Sequence, residues 1–168
     1  MKRAVALILA LVGMLLLFAG CGSGGHTYDF ITIMKTDNTQ GIKLGVDRLS
    51  LEAVVGNRER DSGIWRKYED KTYTKSIAFI FGSKSYMMAG SGFNTNTAKA
   101  DVLPYYQKDP SVTVVENGEK LTFSKVIDNV TYYVTYRFYP DGTVHFITIY
   151  DPAKYTDDDA AYEGNDYT

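Results

Sequence analysis

The chain has 168 residues, a formal net charge of −2, 45% hydrophobic residues, two histidines and one cysteine. That is enough for one domain with its own core. A lone thiol excludes an intrachain disulfide, and a slightly acidic balance is a poor match for a nucleic-acid backbone.

Lys2 and Arg3 precede an apolar run from Ala4 to Phe18, which leads into Ala19-Gly20-Cys21. A positive start, a short apolar stretch and small residues before a cut are the parts of an export signal. Ala4 to Cys21 is eighteen residues, near the lower limit for spanning a bilayer. An uncleaved anchor, or an ordinary signal peptide with an incidental thiol, therefore stand as alternatives. Phe18-Ala19-Gly20-Cys21 resembles the lipobox of bacterial lipoproteins, with Phe18 where that family usually has Leu. The resemblance implies a signal peptide over 1–20 and a lipid, palmitate among its acyl chains, on Cys21. The protein would then be tethered to a bacterial membrane through that lipid and face outside the cytoplasm. Loss of Lys2 and Arg3 would take the 18 basic residues to 16 against 20 acidic ones, a net charge of −4.

Residues 21–27 read as the lipidated cysteine and a flexible tether, on the strength of Gly22-Ser23-Gly24-Gly25. The folded domain is expected over 28–154. Its first strand is Phe30-Ile31-Thr32-Ile33-Met34, ended by Asp37-Asn38.

One clear helix follows. Asp47 is a good N-cap, Val46 can staple to Leu51, Leu51, Val54 and Val55 share a face, and Gly56 can close the helix in the left-handed conformation. Two turns alone are unstable, so this helix should lie on a sheet. Ile42, Leu44, Gly45, Val46, Asp47, Leu51, Val54, Val55 and Gly56 resemble the helix-opening motif of the β-lactamase-inhibitor-protein-like fold, shared with the SmpA/OmlA outer-membrane assembly lipoproteins. Val46 stands for the usual Met, Leu49-Ser50 for an acidic pair, and no proline follows Gly56. The resemblance implies an open antiparallel sheet with a helix on one face, and a hairpin matched here by Ile77 to Met88.

Asn57 to Thr72 reads as a polar loop, and Gly90 to Pro110 as a second one. Between them, Ile77 to Phe81 and Tyr86 to Met88 flank a turn at Gly82-Ser83-Lys84. Val112 to Val115 and Leu121 to Ile127 flank the hairpin signal Asn117-Gly118. Tyr132 to Tyr139 and Thr143 to Tyr150 flank Pro140-Asp141-Gly142. Residues 155–168, with five acidic and no basic side chains, read as a disordered acidic tail. Its Asp157-Asp158-Asp159 run fails as a calcium loop because Tyr162 takes the glycine position. The expected class is α+β: an antiparallel sheet of about five to seven strands with one short helix packed on one face.

Chemical motifs are sparse. Gly90-Ser91-Gly92 is no nucleophile elbow, Gly82-Ser83-Lys84-Ser85 is too short for a phosphate loop, and two histidines give no zinc spacing. No catalytic residue, metal or cofactor is expected. A loop at 140–142 pairs Tyr139 with Thr143. Alternation then puts Tyr132, Val134, Tyr136, Phe138, Val144, Phe146, Thr148 and Tyr150 on a core face. The opposite face carries Tyr133, Arg137, Tyr139 and His145, with Arg137 directly opposite His145. Tyrosine and arginine together are the blend of protein interfaces, though cross-strand pairing alone would also account for them. The leading expectation is thus a non-enzymatic module that binds an envelope or surface protein. A cell-wall or carbohydrate binder, stacking sugars on the fourteen tyrosines and Trp65, and a structural envelope-assembly factor are the alternatives.

Overall fold

The computed structural model describes residues 30–37, 40–56, 60–61, 64–68, 71–79 and 85–155. The expected signal 1–20, Cys21, the tether 21–27, the turn at 82–84 and residues 156–168 lie outside the described residues. What is described is α+β, with antiparallel sheets.

Ten strands and two helices are seen among the described residues: β1 (Thr32–Lys35), β2 (Gly41–Lys43), α1 (Arg48–Val55), β3 (Arg60–Asp61), β4 (Ile64–Tyr68), β5 (Thr74–Phe79), β6 (Tyr86–Met88), α2 (Lys99–Tyr106), β7 (Thr113–Asn117), β8 (Lys120–Ile127), β9 (Val130–Phe138) and β10 (Val144–Tyr150). They form a three-stranded sheet, β2-β1-β6, and a seven-stranded sheet, β3-β4-β5-β10-β9-β8-β7.

Turn chemistry accounts for the meander from β7 to β10. Asn117 is the last residue of β7 and pairs with Lys120, so the tight turn falls on Gly118 and Glu119, one residue later than the dipeptide suggested. Asp128 and Asn129 join β8 to β9 with φ of 51° and 64°, the left-handed conformation that a two-residue hairpin asks for and that Asp and Asn tolerate. At the third turn Gly142 takes φ 85° and its N–H donates to the Tyr139 carbonyl at 2.9 Å. The Asp141 carboxylate there accepts from the Thr143 amide (2.8 Å) and hydroxyl (2.6 Å).

The capped helix forms as its residues dictate. Asp47 is extended (φ −68°, ψ 161°) and its carboxylate accepts from the Ser50 amide at 3.0 Å and the Ser50 hydroxyl at 2.6 Å. Leu51 and Val55 are buried and Val54 is half-buried. Gly56 has φ 87° but ψ 169°, so it leaves the helix through an extended, positive-φ conformation rather than the expected left-handed one. Gly45 has φ +88°, and a Cβ there would lie 3.2 Å from Tyr73 Cε2; that turn requires glycine twice over. The Val46 carbonyl then accepts from the Thr74 amide and hydroxyl, tying the start of α1 to β5.

Three sequence expectations are corrected. First, Ile77 to Met88 is not a hairpin: β5 pairs with β4 and β10, whereas β6 pairs with β1 in the other sheet. Both edges of β5 are occupied, which leaves none for β6. Second, the stretch taken as a loop from Asn57 to Thr72 holds β3 and β4, made strands by pairing with each other and with β5, which the local sequence does not reveal. Third, the stretch from Gly90 to Pro110 holds α2, so the fold has a second helix. Pro104 lies within it and disguises the pattern. Val102 and Tyr106, one turn apart, are buried, and packing of that kind holds a helix this short.

α2 lies against the seven-stranded sheet. The Tyr106 ring stacks on Phe123 of β8 at 4.1 Å, and its hydroxyl meets that of Tyr136 on β9 at 2.8 Å. Lys99 at the other end reaches Glu116 of β7 at 2.8 Å. Beyond β10 the chain packs further than expected: Tyr155 is buried and meets Tyr150 edge-on at 5.5 Å. Asp151 holds this turn, accepting from the Ala153 amide and from the Tyr73 hydroxyl.

Candidate functional site

β9 supplies two of the four expected site residues, Tyr133 and Arg137, and Tyr139 follows directly after it. Its burial alternates except at Thr135, which is buried as well. Val134, Tyr136 and Phe138 are buried on the face that α2 covers. Tyr133, Arg137 and Tyr139 belong to the opposite face and are half-buried. Tyr132, expected in the core, is only half-buried, packed at its margin.

The β9–β10 register begins as the turn sets it, with Tyr139 bonded to Thr143 and Phe138 opposite Val144. It then shifts. A bulge between Val144 and Phe146 leaves Phe146 opposite Arg137, and beyond it Ile147 faces Tyr136, Thr148 faces Thr135, Ile149 faces Val134 and Tyr150 faces Tyr133. The expected pairing of Arg137 with His145 is therefore replaced, and the expected core face is wrong for β10 after Val144. Ile147 and Ile149 are the buried core residues; Phe146, Thr148 and Tyr150 fall on the face of Arg137, Thr135 and Tyr133.

The bulge sorts hydroxyls from methyl groups. Thr122, Thr135 and Thr148 line up across β8, β9 and β10. The Thr122 and Thr135 hydroxyls meet at 3.2 Å, and Thr135 meets the Tyr150 hydroxyl at 3.4 Å. Without the shift, Thr148 would oppose Val134 on the apolar face, and the Tyr150 hydroxyl would leave the face of Thr135.

The expected residues gather into two aromatic groups. In the first, the Tyr139 ring stacks on His145 at 4.2 Å and 28°, and His145 lies against Phe146 at 3.9 Å. Arg137 is close enough for its charge to act on the imidazole: burial first, and the guanidinium second, hold His145 below its ordinary pKa. Tyr139 is shifted up by burial and then by the Asp141 carboxylate. At neutral pH the imidazole is accordingly neutral and the phenol protonated, so both can donate or accept a hydrogen bond. In the second group Tyr133 meets Tyr150 edge-on at 5.5 Å, and Tyr150 meets Tyr155. Tyr133 and Arg137 are four strand positions apart, about 13 Å, so the four residues share a face without forming one contact cluster. Sequence reasoning missed Phe146, Tyr150 and Tyr155 as members of this face; a bulge leaves no mark in the hydrophobic pattern.

Among the described residues no cluster of three His, Cys, Asp or Glu side chains could hold a metal ion, and no helix is long and apolar enough to cross a membrane. A scan against protein-family models and searches of curated proteins and of solved structures found no match to this chain.

Proposed function

We propose that the protein is a lipid-anchored, extracytoplasmic and non-enzymatic module that binds another envelope or surface protein. The site would be the sheet face of Tyr133, Arg137, Tyr139 and His145. The observation that carries the reading is the half-buried Tyr139–His145 stack beside Arg137: aromatic and guanidinium groups on rigid strands, which lose little freedom on contact. Burial of Tyr86, Tyr106, Tyr136, Tyr150 and Tyr155 removes rings that a saccharide binder would stack on and favours a protein partner. The β-lactamase-inhibitor-protein-like resemblance contributes the capped helix, which would rest on the smaller sheet through Leu51 and Val55. The Tyr86 hydroxyl, 3.3 Å from the Val54 carbonyl, supports that placement. The absence of a β5–β6 hairpin weakens the rest of that resemblance.

The experiment has two arms. Cells expressing the chain or its Cys21→Ser variant are labelled with a fatty-acid probe; label and membrane sedimentation that survive in the variant refute the anchor. The partner crosslinked to the native protein at the membrane is then tested against Tyr139→Ala and Arg137→Ala. Both should lose capture with the thermal midpoint retained. Undiminished capture by both places the site elsewhere.

A further inference from the structure

The two ends of the seven-stranded sheet are treated differently. One end is β3, described over two residues, Arg60–Asp61, both charged types of the kind that blunt an edge. The other end is β7, five residues long and exposed at every position. Val114 is 36% and Val115 62% exposed, in a strand with no lysine or proline and no irregularity in its pairing with β8. Its one charge, Glu116, is held by Lys99 of the same molecule at 2.8 Å.

The backbone of that edge has a defined polarity. A two-residue turn makes Asn117 and Lys120 a hydrogen-bonded pair, and alternation along the ladder then bonds Val115 to Thr122 and Thr113 to Ser124. The N–H and C=O groups of Val114 and Glu116 consequently point away from the sheet. Such a row is a template for another strand.

We propose that β7 pairs with β7 of a second copy of this chain, antiparallel about a two-fold axis through Val115. The outward residues, 114 and 116, are placed symmetrically about 115. Each Val114 N–H can therefore donate to the carbonyl of Glu116 of the partner subunit, and each Glu116 N–H to the carbonyl of Val114 of the partner subunit. Val115 meets its own equivalent across the axis, and Thr113 meets Asn117. This closes as an isologous contact and leaves no strand over. The Lys99 pair lets two Glu116 residues approach without uncompensated charge. A foreign peptide fits less well: strand-adding domains select a sequence through recesses for alternate side chains, and a strand exposed at all five positions offers none.

Val115 with its equivalent would be a non-hydrogen-bonded pair, with Cα atoms about 4.5 Å apart, within disulfide reach. The test oxidises purified full-length Val115→Cys in detergent. The comparisons are the unsubstituted chain, whose sole cysteine is Cys21, and Leu49→Cys, at a helix position 78% exposed. Val115→Cys should give disulfide dimer well above both. Adding Val114→Pro, which removes an outward N–H and leaves the inward bonds, should return it to the Leu49→Cys level. Val115→Lys, which sets like charges on each other, should sediment as monomer at concentrations where the unsubstituted chain associates. Dimer from Val115→Cys no greater than from Leu49→Cys, or sedimentation unmoved by Val115→Lys, overturns the proposal.

Discussion

Replacing Tyr136 by phenylalanine removes one oxygen atom from the core, and the consequence falls mainly on its neighbour. The Tyr106 and Tyr136 hydroxyls meet at 2.8 Å with both residues buried. Phe30, Phe93 and Phe123 around them, with ring centroids 4.1–6.4 Å from that of Tyr106, can neither accept nor donate, and the Tyr105 ring stands edge-on to Tyr106 at 5.2 Å. Phenylalanine at 136 keeps the ring and its packing but leaves the Tyr106 hydroxyl without its partner. The cost is the desolvation of an orphaned polar group, about 1–3 kcal/mol. Tyr106→Phe should cost a similar amount for the reciprocal reason. The double variant leaves no orphan and should lose about 0–1 kcal/mol. The two single losses therefore fail to add, with a coupling of about 1–3 kcal/mol. At about 4 °C per kcal/mol for a domain of this size, each single variant melts several degrees low and the double recovers most of the loss. Urea titration of all four proteins, with m-values compared to exclude a changed denatured state, measures the cycle. A double variant whose loss equals the sum of the singles would refute the reasoning, because the hydroxyls would then be satisfied independently. Burial also pushes both phenols above their ordinary range. Above about pH 10 the unfolded chain releases protons that the folded one keeps, so stability should fall as pH rises.

At the acid end, the Lys125 ammonium 2.6 Å away, with help from Ser111, pulls Asp109 down to about 2. The unfolded carboxylate titrates near 3.9, so this contribution is full above about pH 4 and lost as pH falls toward 2; Asp109→Asn should flatten the thermal midpoint across that window. His145 is depressed by burial and by Arg137, so its share of stability is full above about pH 6.5 and fades on acidification, when the unfolded chain protonates first. Arg137→Gln should raise the His145 pKa followed by NMR, and an unmoved titration would separate the two side chains. Gly45→Ala, forced to φ +88° with its Cβ 3.2 Å from Tyr73, should cost at least about 1–2 kcal/mol. A midpoint within error of the parent would show that the turn can relax.

Where structure is set by neighbours in sequence, the chain is legible. Asp47, Leu51 and Val55 announce α1, and Pro140-Asp141-Gly142 announces its hairpin, because a cap or a turn is decided within four residues. Where a partner far along the chain decides, it is not. Tyr86 to Met88 reads correctly as a strand, yet nothing in those residues says that it pairs with β1 rather than β5. α2 is hidden for a related reason: Pro104 argues against a helix locally, and the burial of Val102, and of Tyr106 against β8 and β9, outweighs it.

The candidate site divides along the same line. Tyr133, Arg137 and Tyr139 could be placed because β9 is buried at 134, 136 and 138 and half-buried at 133 and 137, with Tyr139 half-buried just after it. That pattern carries a direction even though Thr135 is buried too. β10 lies inside the seven-stranded sheet, and from Ile147 to Tyr150 every residue is buried. A strand buried on both faces has no polar side to orient it, so either register satisfies its hydrophobic pattern. The choice falls to the few groups that distinguish the faces. Tyr150 carries a hydroxyl, which meets that of Thr135 across the sheet, and Ile147 and Ile149 carry none. One residue must be absorbed to reach that pairing, and it is absorbed beside the tight turn. There it puts two rings, His145 and Phe146, against the single Arg137. The side chains that make the proposed binding face dense are thus a by-product of how the core settles its own register.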